Sequence, residues 1–125
     1  MQQWLGAYLI TCAIEIPIVI AMTGGLGWRS RGPRPRLEVA ALAWALQLTH
    51  PVLWLVNPAF PVATVMAELA VVAIEGIAIC RWAVARTMAS CGGVTLRWSL
   101  LIAFCANAAS VLAGLLIAVV AAAMA

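Results

Sequence analysis

The sequence predicts an all-α membrane protein, a compact bundle of four transmembrane helices. Of its 125 residues, 66% are hydrophobic and 9% are charged, whereas about a quarter are charged in ordinary soluble domains. Long apolar runs alternate with short polar stretches, and one crossing needs about twenty apolar residues. Four crossings therefore use most of the chain and leave no room for a soluble catalytic domain.

The first helix is predicted over residues 3–25. No lysine or arginine precedes it, which argues against a cleaved signal peptide, so we expect a retained membrane helix. A loop then runs from Trp28 to Arg36. Its prolines and glycine cannot continue a helix, and its four arginines resist translocation, so the chain is expected to turn here on the cytoplasmic side.

The second helix is predicted over residues 37–56, with Glu38 near the positive end of its dipole. An uncharged turn at residues 57–61 ends it and can lie outside the membrane. The third helix is predicted over residues 61–81 and the fourth over residues 98–122. The whole chain then forms one transmembrane domain.

The arginines predict the orientation of this domain, because short loops rich in arginine stay on the cytoplasmic side. Two clusters between the helices hold all seven: Arg29, Arg31, Arg34 and Arg36, then Arg81, Arg86 and Arg97. We expect an integral protein of a bacterial-type inner membrane, with both termini outside. The clusters lack the interleaved aromatic residues of a nucleic-acid surface, so no nucleic-acid partner is expected.

The cysteines show no metal or redox spacing. There is no Cys-x-x-Cys pair among the four, which are Cys12, Cys80, Cys91 and Cys105. Because free cysteine packs as a small hydrophobic residue, we expect these to be structural.

Polar residues at membrane depth are the informative ones, since an ionisable group at the bilayer centre costs at least about 2.5 kcal/mol. Each helix carries a stripe of them: Thr11 and Glu15, Gln47 and His50, Glu68 and Glu75, and Asn107 and Ser110. Lipid offers these groups no partners, so the stripes are expected to face each other. The sequence thus predicts a carboxylate- and histidine-lined interior for a proton, a cation or a small substrate.

An offset of sixty residues aligns parts of the chain with each other. Glu15 falls on Glu75, within Ala-Ile-Glu in both cases, and Gln47 falls on Asn107, so the glutamate-to-amide interval is 32 in both halves. This pattern indicates parallel repeats over residues 1–57 and 61–117, related by a pseudo-twofold axis along the membrane normal. Each repeat would be a helical hairpin.

The repeat suggests two layers of polar residues. The inner layer would be nearly symmetric and would hold Glu15, Glu75, Gln47 and Asn107. The outer layer would be asymmetric and would hold Tyr8, His50, Glu68 and Ser110.

Buried glutamates without buried lysine or arginine either are neutral or hold a cation. Carboxylate with imidazole suits a divalent metal, for which the candidate ligands are His50, Glu68, Glu15 and Glu75. The di-iron bundle signature and the His-Glu-x-x-His motif are both absent from the sequence. A structural alternative stays open for His50, which precedes Pro51 and would steady a helix kink, and for the polar residues of the fourth helix, which would join helices by hydrogen bonds.

Chain length, helix count and Glu15 midway along the first helix resemble the small multidrug resistance transporters. The resemblance covers only Glu15 and its helix, and it implies a carboxylate that exchanges protons for cationic substrates. Glu68, Glu75 and the His50-Pro51 step depart from that family's pattern.

Three classes of function stay open. The first and favoured one is a transport-like protein whose carboxylates bind and release protons or a cation. The second is an intramembrane enzyme that uses His50 and the glutamates as acid, base or metal ligands on a lipid-borne substrate. The third is an accessory subunit of a larger membrane complex, and a homo-oligomer is also compatible with the small size.

Overall fold

The computed structural model describes residues 2–51 and 61–124, and the side chains of residues 5–51 and 65–124. Within those ranges the chain is helical and contains no strand, which confirms the all-α class. The helices are α1 (Gln2–Gly25), α2 (Pro35–Leu46), α3 (Pro61–Arg86) and α4 (Gly93–Met124).

Two of these helices are long and apolar enough to cross a membrane. They are the 21-residue stretch Leu5–Gly25 of α1, with a mean hydropathy of 2.0, and the 32-residue α4, with a mean hydropathy of 2.3. At about 1.5 Å per residue, even the shorter stretch matches the hydrocarbon thickness of a bilayer. The two further crossings expected from the sequence stay a prediction.

The helices pack in a ring, because α1 contacts α2 and α4, and α3 contacts α4 and, less extensively, α2. Small and branched side chains fill the centre: Val19, Ala43, Leu46, Ile79, Ile102, Ala103 and Ala106. The α3–α4 approach depends on Gly76, where an added Cβ would lie 3.0 Å from the Cα of Leu100. Small residues at such crossings allow helix backbones to approach closely.

Both arginine-rich loops lie at the same end of the ring, where Arg31 joins them. Its backbone N–H donates to the carbonyl of Arg86 at 2.8 Å, and its guanidinium donates to the carbonyl of Thr87. The loop after α1 is therefore attached to the C-terminus of α3. Which side of a membrane this end faces stays a prediction.

The second loop is shorter than predicted. Helix α3 continues to Arg86 and α4 begins at Gly93, so Arg81 and Arg97 lie inside helices. Arginine is a good helix former, and its long side chain reaches water from within a helix, which explains why an arginine did not mark a helix end here. The end of α3 is instead capped by Thr87, whose hydroxyl donates to the carbonyl of Ala83 at 2.6 Å.

Helix α2 ends at Leu46, earlier than predicted. Residues 47–48 form a turn and residues 49–51 are helical again; the rest of the predicted helix and most of the turn at 57–61 lie outside the described residues. Pro51 has no N–H to offer the carbonyl of Gln47, so the regular helix is interrupted. The hydroxyl oxygen of Thr49 lies 2.7 Å from the carbonyl oxygen of Leu46, which is one of two acceptors within reach of its single hydrogen.

Candidate functional site

Three ionisable side chains from different segments meet inside the ring. They are Glu15 of α1, His50 from the segment after the break in α2, and Glu75 of α3, and one ligand atom of each lies within 4.8 Å of the others. Their exposed fractions are 1%, 9% and 2%. These three residues, called the Glu-His-Glu group below, form a buried set of oxygen and nitrogen donors that could bind a metal ion.

The carboxylate of Glu15 has contacts on both oxygens. Its Oε2 accepts a hydrogen bond from the Gln47 amide at 3.1 Å and lies 3.2 Å from Nε2 of His50. Its Oε1 accepts from the Ser110 hydroxyl at 2.5 Å. Glu15 therefore joins α1 to the break after α2 and to α4.

The carboxylate of Glu75 is held in the same way. Its Oε1 accepts from the Thr49 hydroxyl at 2.7 Å, and its Oε2 accepts from the Asn107 amide at 2.7 Å. The same amide nitrogen donates to the carbonyl of Ala103 at 3.0 Å, which fixes its orientation. Every oxygen of the two carboxylates thus has at least one neutral donor.

Two glutamate-amide hydrogen bonds occur at the same sequence interval. Gln47 follows Glu15, and Asn107 follows Glu75, by 32 residues in each case. The remaining contacts are not symmetric, since Ser110, which aligns with His50, also contacts Glu15. The parallel repeat itself stays a hypothesis.

Two amide oxygens in this region have no partner among the described residues. They are Oε1 of Gln47 and Oδ1 of Asn107, on side chains that are 1% and 4% exposed. A buried polar atom without a partner costs about 1–3 kcal/mol. Because each belongs to an amide whose nitrogen binds a carboxylate of the Glu-His-Glu group, two further acceptors lie beside it.

The donor set suits a divalent cation, and so does one of the three spacings within the Glu-His-Glu group. In a tetrahedral site with metal–ligand bonds of 2.0–2.1 Å, neighbouring ligand atoms are about 3.3 Å apart, and Glu15 Oε2 lies 3.2 Å from His50 Nε2. Carboxylate, imidazole and amide oxygens are ligands of metals such as Zn²⁺ and Mn²⁺. Ligating carboxylates are normally held by further hydrogen bonds, as the hydroxyls and amides hold these two.

The structure also gives positions for the other residues that the sequence predicted at the site. His50 and Ser110, which the two-layer hypothesis placed in the outer layer, both contact Glu15. Residues 47–48 form a turn before His50, so a depth counted along a straight helix does not apply to it. Tyr8 is half-buried two turns before Glu15 on α1.

Glu68 does not belong to the Glu-His-Glu group. It is half-buried on α3 and lines a cavity of about 370 Å³ between α3 and α4. The other walls are mostly apolar, with side chains such as Leu69 and Phe104, but Asn107 also lines the cavity. Asn107 therefore lies between this cavity and Glu75.

Sequence reasoning missed Thr49. On a regular helix, residues three apart share a face, so Gln47 and His50 were grouped and the threonine between them was not. The turn at residues 47–48 brings the Thr49 hydroxyl to Glu75. Pro51, close behind it, was the signal that the helix period does not hold there.

No protein-family model, curated protein or solved structure matches this chain. The resemblance to the small multidrug resistance transporters therefore gains no support, and functional inference depends on the geometry of the site.

Proposed function

We propose that this chain is a four-span membrane protein that binds a divalent cation at Glu15, His50 and Glu75 as a step in moving it across the bilayer. The observation that carries the proposal is the buried Glu-His-Glu group with two unpartnered amide oxygens beside it. These two oxygens have no donor in the described part of the chain, and a bound cation would supply a partner for them.

The charges of the group support a divalent ion. With a neutral imidazole, two ionised carboxylates carry two negative charges, which one divalent cation balances. Removing one partner from a buried charged set leaves an uncompensated charge that is strongly destabilising. Lipid outside the ring offers no ion, so compensation comes from within it, either as a bound cation or as protons on these side chains.

Glu68 supplies an approach to this site. Its cavity between α3 and α4 reaches Asn107, and the Asn107 amide is hydrogen-bonded to Glu75. A cation that meets Glu68 first has Asn107 and then Glu75 ahead of it. A third carboxylate, which lies outside the binding group, favours passage over permanent structural binding, because acidic residues at membrane depth commonly mark ion pathways.

Metal binding is tested on the purified full chain in nanodiscs, by calorimetric titration with Zn²⁺ and Mn²⁺ and by elemental analysis. We expect one ion per chain, and its loss in Glu15→Gln and Glu75→Gln. The matched control is Glu38→Gln, which also removes one carboxylate but lies in the first turn of α2. If the control weakens binding as much as Glu15→Gln, the site is assigned to the wrong carboxylates.

Transport is tested in proteoliposomes that enclose a fluorescent metal indicator. We expect uptake of the bound metal by the wild type and by Glu38→Gln, and none by Glu15→Gln. An ion that binds but never crosses contradicts the transport step and favours a metal-dependent enzyme. A chain that binds no ion contradicts the proposal as a whole.

A further inference from the structure

A separate cavity of about 500 Å³ lies where α1 ends and α2 begins. Arg29 and Arg36 line it together with Trp28 and the apolar side chains of Ile20 and Val39. We propose that this cavity binds an anionic phospholipid, with the phosphate between the two arginines and an acyl chain along the apolar wall. The proposal does not depend on the cation site.

The end of α1 builds one wall of this cavity. Gly27 has a φ of 71°, its N–H donates to the carbonyl of Gly24 at 3.0 Å, and the N–H of Trp28 donates to the carbonyl of Thr23 at 3.0 Å. This pair of hydrogen bonds is a Schellman motif, which reverses the chain sharply after a helix. Trp28 and Arg29 therefore follow directly on the turn and are placed over the start of α2.

The charges at this end favour an anion. All seven arginines of the chain lie in the two loops or in the helix turns beside them, against one glutamate, Glu38. Glu38 is engaged by the Ser30 hydroxyl, and Arg31 is engaged by the carbonyl of Thr87. Arg29 and Arg36 are exposed and line the cavity, where the planar guanidinium fork matches phosphate oxygens.

The apolar wall selects a lipid over a free anion. Ile20 lies on the exposed surface of α1, within the stretch long enough to cross a membrane, so the wall continues toward lipid. Trp28 is half-buried and packs against the hydrophobic core, and tryptophan is typical of the membrane interface. Basic pockets between membrane helices bind anionic headgroups in the same arrangement.

The test compares lipid binding to the full chain in detergent, by native mass spectrometry. The probes are phosphatidylglycerol and phosphatidylcholine with identical acyl chains. We expect the wild type to prefer phosphatidylglycerol, and Arg29→Gln/Arg36→Gln to bind it about tenfold or more weakly, since hydrogen bonds to charged groups are the strong ones. The matched control is Arg34→Gln/Arg81→Gln, which removes the same charge from outside the cavity and should keep the preference.

Three outcomes would overturn the proposal. If the wild type binds both lipids equally, the arginines do not contact the headgroup. If the control variant loses as much phosphatidylglycerol binding as Arg29→Gln/Arg36→Gln, binding depends on the overall charge of this end and not on the cavity. Competition by inorganic phosphate at the concentration of the lipid assigns the cavity to a free anion. Far-ultraviolet circular dichroism of both double variants verifies that they are folded, which we expect because these arginines are exposed or lie at helix ends.

Discussion

Gln47 donates an amide hydrogen to Glu15 at 3.1 Å, yet the oxygen of that same amide has no partner in the described part of the chain. The nitrogen of the amide faces the carboxylate, and its buried oxygen is left without a donor among those residues. A buried acceptor without a donor costs about 1–3 kcal/mol, and a bound cation is one partner that would satisfy it. This relationship, repeated in part by Asn107 and Glu75, underlies the expectation that the interior is completed by a cation.

Metal should therefore stabilise the fold. A ligand that binds only the native state at a free concentration of about 100 times its Kd adds about 2.7 kcal/mol to the free energy of unfolding. We expect Zn²⁺ to raise the thermal midpoint of the wild type and of Glu38→Gln, and to leave Glu15→Gln and Glu75→Gln unchanged. A similar rise in all four proteins would show that the metal acts elsewhere.

Thr49 should influence metal affinity without being a ligand. Thr49→Val removes the hydroxyl that donates to Glu75, and losing such an outer hydrogen bond typically weakens metal binding about 10- to 100-fold. Thr49→Ser keeps the hydroxyl and serves as the control, with affinity near that of the wild type. Calorimetric titration measures both. If the valine variant binds as tightly as the serine variant, the hydroxyl does not position Glu75.

The sequence was sufficient for the helical class and for the polar stripes, since both follow from hydropathy and helix period. It also placed both glutamates and both amides in one layer at a recurring interval of 32, although it did not say which amide contacts which glutamate. The contacts that depend on the break after α2 could not be predicted from the sequence. No period relates Ser110 to Glu15, or Thr49 to Glu75, and only the packed ring brings them together.

Gly76 should be needed for the position of its neighbour Glu75. A Cβ there would lie 2.6 Å from Cδ2 and 3.0 Å from Cα of Leu100, so Gly76→Ala forces α3 and α4 apart. We expect a loss of about 1–3 kcal/mol in unfolding free energy and weaker metal binding. Gly114→Ala is the matched control, because its Cβ would meet nothing within 4 Å. Denaturation in mixed micelles measures the stability, and equal effects of the two changes would contradict the close contact.

Metal binding should compete with protons. Carboxylate and imidazole bind metal only in their deprotonated forms, so affinity falls as the pH is lowered and binding releases protons. Titration in buffers of different ionisation enthalpy counts the protons released. We expect fewer in His50→Gln, which keeps polarity but does not titrate. Binding that is independent of pH and of buffer would exclude the Glu-His-Glu group as the ligands.

Glu68 should govern the rate of uptake more than the affinity, because it lines the cavity beside Asn107 and lies outside the Glu-His-Glu group. Glu68→Gln removes the carboxylate that a cation would meet first and leaves the three ligands in place. We expect slower uptake into proteoliposomes with an equilibrium Kd near that of the wild type, and Glu38→Gln as control should change neither. A variant that loses affinity in equilibrium titration would place Glu68 among the ligands. Unchanged uptake would instead show that the cation reaches Glu75 by another path.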